Sequence, residues 1–395
     1  MNRRHFIAAS SIAASSFAFA ARGADAAPRL RVAVIGHTGR GDYGHGLDTM
    51  WEKLPETELV AVADADGKGL AAAQVKLKVK TGFSDYRKML AEMKPDMVAI
   101  GMRYVDQHRD VALAGAASGA KGIYMEKPFC RTPAEADEIV ATCEQKNVKL
   151  AVAHRNRWHS VLPAIDKLVK EDAIGRLLEL RARGKEDARG GSLDLWVLGS
   201  HLLNLICYFG GQPLGCSATV LQAGKPITRA DVKDGAEGLG PLAGNEVHAR
   251  FDMARGVPAY FDSVANAGDR AAGFGLQLIG TKGVIDLRVD QDPVAHYLAG
   301  NPFRPVKEPR NWVPISSAGI GGPEPIADLG KNVMAHLVSG RDLLAAIREN
   351  RQPLCSARDA RTVVEMIAAV FESHRLQGQR VVFPLAQRDN PLTRL

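Results

Sequence analysis

Residues 122–132 read Gly122-Ile-Tyr-Met-Glu-Lys-Pro-Phe-Cys-Arg-Thr132. The apolar run 123–125 predicts a short buried strand, and Glu126, Lys127 and Pro128 follow at its carboxyl end. Ligands bind outside the carboxyl ends of strands in open α/β sheets, so this position places a lysine at a site. Proline restricts the residue before it to extended backbone, and the X-Pro bond can also be cis. A strand that simply ends in a charged turn is the other interpretation.

Strand and helix patterns alternate around this stretch. Further buried strands are predicted at 30–35, 58–63, 96–100 and 148–153, and helices at 107–118 and 133–146. Alternation of this kind is typical of a parallel, doubly wound sheet. Residues 27–153 are therefore expected to form a Rossmann domain of the α/β class.

The pattern changes after residue 153. The segment from Ser192 to Phe209 is apolar nearly all round and predicts one buried helix. Strand-like runs without intervening helices between residues 215 and 289 predict an open, largely antiparallel sheet. An excursion loop is predicted at 290–325, amphipathic helices near 328–349 and 358–377, and a closing strand at 381–383. Residues 154–385 are thus expected to form an α+β domain for substrate and oligomer contacts, followed by a tail at 386–395.

A glycine-rich turn follows the first strand and predicts a dinucleotide site. Its candidate cofactor-binding residues are Gly36, Thr38, Gly39, Arg40 and Gly41. Glycines let the backbone approach a pyrophosphate, and a following helix would offer its N-terminal N–H groups. Asp64 ends the second strand, where a carboxylate can bind the adenosine ribose and would repel a 2′-phosphate. NAD is therefore expected rather than NADP, although Arg40 could bind such a phosphate.

The N-terminus carries a targeting pattern. Arg3 and Arg4 precede Phe6 and an apolar stretch that reaches Ala21, with small residues suitable for cleavage after it. This resembles a twin-arginine signal, predicted over residues 1–26, and a Sec signal is the alternative. The twin-arginine export machinery is the expected partner, the periplasm the expected location, and a folded passenger could carry its cofactor with it. The apolar stretch is too short and too rich in alanine and serine to span a membrane.

Overall charge and composition exclude some classes of function. The net charge is +7 without a run of lysine and arginine, which disfavours nucleic-acid binding. No cysteine–histidine spacing predicts a metal site. Polar groups that a sugar could use occur in two segments and yield the candidate substrate-binding residues Arg157, His159 and Lys185. Surface decoration is an equal alternative for these three.

These motifs together resemble the glucose–fructose oxidoreductase / inositol dehydrogenase / MocA-like (Gfo/Idh/MocA) family of NAD(P)-dependent oxidoreductases. The resemblance covers residues 30 to 385 and rests mainly on the triplet Glu126-Lys127-Pro128 and on Gly199-x-His201. It implies a Rossmann domain followed by an α+β domain whose open sheet often forms oligomer contacts, so a homo-oligomer is expected.

The same resemblance implies that Lys127 and His201 are catalytic and that Glu126 contacts the cofactor. Oxidation of a carbinol needs a base for the hydroxyl proton and a cation for the developing alkoxide, roles that suit His201 and Lys127. Many members carry an aspartate four residues before the histidine, where this chain has Val197. Asp194, seven residues before the histidine, is a candidate substitute and substrate-binding residue.

The expected function is that of an exported NAD-dependent oxidoreductase, with tightly held cofactor, acting on a carbohydrate or polyol hydroxyl. One alternative is an NAD-dependent glycoside hydrolase that oxidises its sugar transiently, eliminates the glycosidic bond and reduces the product again. The other is a binding or regulatory protein on the same scaffold, which intact Lys127 and His201 disfavour.

Overall fold

Six short apolar strands form one parallel sheet in the N-terminal part of the chain. They are β1 (Leu30–Ile35), β2 (Thr57–Ala63), β3 (Gly82–Phe83), β4 (Met97–Ile100), β5 (Gly122–Met125) and β6 (Lys149–Val152). The helices between them are α1 (Gly67–Leu77), α2 (Tyr86–Met93), α3 (His108–Ala117) and α4 (Pro133–Gln145). The strand order β3-β2-β1-β4-β5-β6 reverses between β1 and β4, and ligands bind at such a switch point. This computed structural model describes residues 28–268 and 274–395, so the predicted signal at 1–26 lies outside the described residues.

The second part of the chain builds a mixed, largely antiparallel sheet against helices. Its first elements are α5 (Val161–Lys170), β7 (Leu177–Arg183), α6 (Ser192–Val197), α7 (Gly199–Gly210), β8 (Pro213–Gln222), β9 (Lys225–Pro226), β10 (Lys233–Gly235), β11 (Gly240–Leu242), β12 (Glu246–Met253) and β13 (Pro258–Val264). Those that follow are β14 (Gly275–Gly280), β15 (Gly283–Arg288), β16 (Ala295–Ala299), β17 (Val313–Ser316), β18 (Gly319–Ile320), α8 (Leu329–Met334), α9 (Leu337–Glu349), α10 (Ala357–Arg375) and β19 (Val381–Val382).

The main sheet runs β18-β17-β16-β15-β14-β7-β13-β12-β8-β19, with β9 paired to β8. All its pairs are antiparallel except β13 with β7. Residues alternate between buried and partly exposed along β12 and β13, as expected for a sheet with one packed face. Helix α10 packs on β8 and α4, and α9 packs on β5 and β6, so the end of the chain returns to the N-terminal sheet. The predicted fold class, a Rossmann sheet followed by an α+β domain, is confirmed.

Four sequence predictions about local structure are wrong. The helix predicted over 192–209 breaks at Leu198, whose backbone angles of φ −124° and ψ −46° leave the helical region just before Gly199. The predicted loop 290–325 contains three strands, β16 to β18, that extend the sheet. The helix predicted near 328–349 divides at His336, which has a φ of 59°. The helix expected after the glycine turn is only a 3-10 turn, Met50–Lys53, because four glycines from Gly39 to Gly46 adopt left-handed backbone.

The segment 386–395, predicted as a tail, packs against the body of the protein. Leu392 is fully buried, and the carbonyl of Arg388 accepts a hydrogen bond from the N–H of Ala134 at 2.9 Å. The Arg388 side chain pairs with Asp137 and Glu365. These contacts tie the C-terminus to α4 and α10.

Candidate active site

The glycine turn folds tightly at the carboxyl end of β1. Gly39 and Gly41 have φ values of +80° and +89°, which L side chains rarely adopt. A Cβ on Gly41 would lie 2.4 Å from the backbone nitrogen of Arg103, so only glycine allows this approach between the turn and the segment after β4. The turn therefore has the close backbone packing that a dinucleotide-binding loop requires.

Asp64 is the centre of a closed hydrogen-bond network. Its carboxylate accepts from the N–H of Thr38 at 3.1 Å, the hydroxyl of Thr38 at 2.7 Å, the hydroxyl of Tyr43 at 2.9 Å and the N–H of Asp66 at 3.0 Å. Only 1% of Asp64 is exposed. The carboxylate anchors the glycine turn in this structure, and Tyr43 is a participant that the sequence patterns did not reveal. Binding of a ribose by Asp64 stays a prediction.

A cavity of about 230 Å³ opens beside Asp64 at the ends of β1 and β2. Its lining includes Gly36, His37, Asp64, Tyr86, Arg87 and Gln107. The size, the aromatic ring and the adjacent carboxylate fit the adenosine part of a dinucleotide. Arg40 does not face a free site, because its guanidinium pairs with Asp106 at 2.5 Å and stacks over Tyr104 at 5.0 Å.

Glu126 connects the glycine turn to the end of β5. One of its oxygens accepts from the N–H of His45 at 3.0 Å and from the His45 ring at 2.5 Å, and the other accepts from the N–H of Lys127 at 2.9 Å. Burial alone would raise the pKa of Glu126, but the His45 hydrogen bond and the Lys127 charge hold that pKa below its ordinary value. Glu126 is fully buried and positions this loop, so its contact with a cofactor stays a prediction.

Lys127 reaches from the Rossmann sheet into the second domain. Its peptide bond to Pro128 is cis, and its Nζ donates to the carbonyl of Val197 at 3.1 Å. In an uninterrupted helix that carbonyl would accept from the N–H of His201, but the break at Leu198 sends this N–H to the Leu198 carbonyl at 3.0 Å. The Val197 carbonyl is thereby freed for the lysine. Burial lowers the pKa of Lys127, while the charges of Glu126 and Glu237 raise it.

His201 lies in the first turn of α7, beside the Lys127 contact. Only 6% of the His201 surface is exposed, and its Nδ1 is buried without a hydrogen-bond partner. Its ring centre is 5.3 Å from that of His154 and 6.3 Å from that of Phe274. Burial, aided by the proximity of His154 and the charge of Lys127, lowers the pKa of His201 well below its ordinary value. The imidazole is therefore neutral at physiological pH, as a general base must be.

Asp194 makes no hydrogen bond to His201. It lies on α6, whereas His201 lies on α7, and its carboxylate accepts from the hydroxyl of Ser263 at 2.6 Å and the N–H of Glu186 at 3.1 Å. Asp194 is fully buried, and burial raises its pKa. The contacts explain Asp194 as support for the loop before α6, and its role in substrate binding stays a prediction.

The other substrate candidates separate into two groups. Lys185 approaches the site, because its ammonium lies 5.8 Å above the ring of Phe274, which neighbours His201, and pairs with Asp290 at 3.1 Å. Arg157 instead stacks over Tyr208 at 4.8 Å.

His159 lines a different cavity of about 460 Å³, next to Asp292 and Glu324. That cavity is larger than the one at Asp64, but neither Lys127 nor His201 lines it. The candidate chemistry therefore belongs to the crevice at Lys127 and His201 and not to this cavity.

Besides Tyr43, three residues near Lys127 and His201 were missed by sequence reasoning. His154 follows β6 and contacts His201. Arg155, next in the chain, is largely buried, and its charge lowers the pKa values of Lys127 and His201. Glu237 lies at the tip of the β10–β11 hairpin and raises the pKa of Lys127. The polar run after a strand end was a usable signal for the first two, while nothing local marks Glu237.

Within the described ranges 28–268 and 274–395, no helix is both long and apolar enough to cross a membrane.

The parallel sheet and the glycine turn at its strand ends define a dinucleotide-binding architecture, and sequence comparison agrees. Residues 30–154 match the model of an oxidoreductase family with an NAD-binding Rossmann fold. This match confirms the predicted resemblance to the Gfo/Idh/MocA family over residues 30–154.

Curated relatives are similar over part of their length. D-apiose dehydrogenase of Paraburkholderia graminis is 28% identical over 192 residues, which cover 46% of this chain and 51% of the relative. Levoglucosan dehydrogenase of Pseudarthrobacter phenanthrenivorans is 24% identical over 249 residues, covering 57% and 63%. The chain thus spans about half the length of the curated relatives it matches.

Solved structures share the complete two-domain fold. A levoglucosan dehydrogenase in complex with NADH and levoglucosan superposes with a TM-score of 0.70 at 22% identity, covering 90% of this chain and 99% of that one. An oxidoreductase from Agrobacterium radiobacter in complex with NAD+, L-tartaric acid and magnesium gives 0.66 at 18% identity, covering 90% and 98%. At these identities the likeness establishes the fold.

Proposed function

We propose that this protein is an NAD-dependent oxidoreductase that oxidises a hydroxyl of a carbohydrate or polyol. The observation that carries the proposal is the hydrogen bond from Lys127 Nζ to the Val197 carbonyl at 3.1 Å, which places the lysine at the junction of α6 and α7, next to the turn that bears His201. The dehydrogenase relatives act on sugars by name, which supports this substrate class and net oxidation rather than redox-assisted glycoside hydrolysis.

The residues present fit a dinucleotide. The cavity beside Asp64 would hold the adenosine, and the glycine turn would hold the pyrophosphate. Bound NAD+ supplies a hydride acceptor. The carbon–hydrogen bond of the carbinol breaks with transfer of its electron pair in that hydride, and the hydroxyl proton leaves separately, so that a carbonyl remains.

His201 and Lys127 divide the work on the hydroxyl. Neutral His201 accepts the hydroxyl proton through Nε2, because its Nδ1 is buried. The Lys127 ammonium uses one donor on Val197 and has others for the oxygen, where it stabilises the developing negative charge. Arg155 and Lys185 add positive charge around the same crevice.

The test is a cofactor and substrate screen on the purified full chain. Nucleotide released from the protein is identified, and then D-apiose, levoglucosan and scyllo-inositol are offered with added NAD+ or NADP+. We expect sugar-dependent absorbance of reduced nicotinamide with NAD+ and no cleavage of glycosidic bonds. Failure of every sugar in the panel to reduce either cofactor contradicts the proposal.

We also propose retention of NAD, export by the twin-arginine route to the periplasm, and a homo-oligomer. The paired arginines Arg3 and Arg4 support the export route, and periplasmic work without a free nicotinamide pool would require a retained cofactor. Exchange of both arginines for lysine should leave the protein in the cytoplasmic fraction, and periplasmic recovery of that variant contradicts the route. Co-purified NAD tests retention, and light scattering tests the oligomer, for which a monomer is the contradicting result.

A further inference from the structure

Two imidazoles of the crevice each keep one buried nitrogen without a hydrogen-bond partner. These nitrogens are Nδ1 of His201 and Nε2 of His154. The ring centres lie 5.3 Å apart with the planes at 80°. A ring N–H that points at a nitrogen of a second ring gives a centre separation of about 5 Å at ordinary hydrogen-bond length. The separation therefore suits a direct bond between the rings after rotation of either one.

Other groups fix the position of the His154 ring at its Nδ1 side. The sulfur of Cys355 lies 3.6 Å from Nδ1 of His154, and Nδ2 of Asn204 lies 3.5 Å from the same sulfur. The backbone is fixed as well, since the N–H of His154 bonds to the carbonyl of Val152 at 2.7 Å. Cys355 and His154 are both buried. The position of the His154 ring is thus set by groups on β6, α7 and the segment before α10.

No carboxylate of the described residues hydrogen-bonds to the His201 ring. Val197 occupies the position of the family aspartate, and Asp194 bonds elsewhere. The charged and titratable groups that act most strongly on His201 are all basic: His154, Lys127, Arg155 and His45. Those acting on His154 are Lys127, Glu126 and Arg157. A buried imidazole needs a fixed partner to define which nitrogen carries the proton, and here the ring at hand is His154.

We propose that His154 is the positioning residue of His201 and takes the place of the missing carboxylate. Nε2 of His154 accepts a hydrogen bond from Nδ1–H of His201, with the Nδ1 proton of His154 directed at the Cys355 sulfur. This arrangement keeps His201 in the tautomer whose Nε2 lone pair faces the crevice. The kinetic consequence rests on the proposed function, whereas the tautomer does not.

Replacement of His154 by two different amides tests the roles of its two ring nitrogens separately. In His154→Gln the side-chain amide reaches the position of Nε2 and can still accept from His201, whereas in His154→Asn it reaches only the position of Nδ1. For sugar oxidation we expect His154→Asn to lower kcat by about tenfold to a hundredfold, with KM and NAD content unchanged, and His154→Gln to recover most of the rate. In a His201→Ala background His154→Asn should cause no further loss. His248→Asn, on the opposite face of the sheet, is the matched control.

NMR of isotope-labelled histidine gives a readout that does not depend on turnover. We expect the His201 ring to carry its proton on Nδ1 in the native protein and in His154→Gln, and to change tautomer in His154→Asn. Equal tautomers in all three proteins, or equal rates in Asn and Gln variants that are both folded, overturn the positioning role. If the sugar panel fails while the tautomer shift is observed, the proposed function is wrong and the pairing of the two imidazoles stands.

Discussion

The two ends of the crevice differ in how their polar groups are satisfied. At the adenosine end, Asp64 already accepts hydrogen bonds from Thr38, Tyr43 and Asp66. At the chemical end, His154 and His201 each retain a buried nitrogen without a partner. Buried polar groups in native proteins are nearly always paired, so unpaired ones need an explanation.

This contrast teaches how the site divides its tasks. The adenosine end is assembled by the protein itself, and a nucleotide must exchange with existing hydrogen bonds there. The chemical end carries its unsatisfied groups where substrate hydroxyls and the second imidazole can complete them. Unpaired groups of this kind lower stability, a cost that proteins tolerate at functional sites.

The largest effect is expected from removal of the ammonium at the chemical end. Lys127→Met should lower turnover by about a thousandfold or more, because the developing alkoxide loses its cation, while NAD content stays unchanged. The measurements are the rate of sugar-dependent NAD+ reduction and the nucleotide released per chain. Lys121→Met is the control, because Lys121 lies at the opposite, amino end of β5, where its side chain is 57% exposed and pairs with Asp96. A Lys127→Met protein with normal turnover would move the chemistry elsewhere.

The second effect is on stability at acid pH. Burial lowers the pKa of His154 to about 3 and that of His336 to about 4 from an ordinary 6.5. The unfolded chain therefore binds protons first, and stability, complete above about pH 6.5, falls as the pH drops toward 4 by about 1.4 kcal/mol per pH unit for each histidine. Thermal unfolding across this range measures the slope.

Two variants test the acid-pH effect, and only one of them is expected to change the slope. His154→Gln should flatten the slope because one titrating group is gone. His248 differs, since hydrogen bonds from it to Glu246 and Asp262 raise its pKa although burial opposes them. Below about pH 6.5 His248 is protonated in both the folded and the unfolded chain, so His248→Gln should leave the slope in this range unchanged. An unchanged slope in His154→Gln would show that this histidine is not held neutral by the fold.

The third effect concerns the Asp64 carboxylate at the adenosine end of the crevice. Asp64→Ala leaves the donors of Thr38 and Tyr43 without their acceptor, so we expect NAD to bind about tenfold to a hundredfold more weakly, with kcat at saturating NAD+ retained. Titration calorimetry measures the affinity. Asp66→Ala, which removes the N-cap of α1 beside it, should cost about 1 kcal/mol of stability and leave affinity unchanged. Equal affinity in both variants would place the ribose elsewhere.

The smallest effect distinguishes anchoring from binding. Tyr43→Phe removes one hydroxyl from Asp64 and should lower the free energy of unfolding by about 1 kcal/mol. Because the nucleotide then has one bond fewer to displace, we expect NAD to bind about fivefold more tightly. Weaker binding would mean instead that the Tyr43 hydroxyl belongs to the nucleotide site.

Much of this architecture is predictable from the sequence. Runs of apolar residues fix the buried parallel strands, and the strand ends bring Lys127 and Asp64 to one edge of the sheet. The break at Leu198 escapes prediction, because the apolar residues that flank Gly199 and Ser200 make the whole segment read as one buried helix. The pairing of His154 with His201 depends on two elements 47 positions apart, and the closure of Tyr43 on Asp64 depends on a loop without periodicity.

Lys127 contacts the second domain through a hydrogen bond to a peptide carbonyl and not to a side chain. Every replacement of Val197 that preserves the break at Leu198 keeps that carbonyl, so alanine scanning of α6 would find no partner for the lysine. Substitutions at position 197 can therefore accumulate in evolution without changing how the two domains align. Only a substitution that restores a continuous helix would break the Lys127 contact, because the Val197 carbonyl would then accept the backbone N–H of His201.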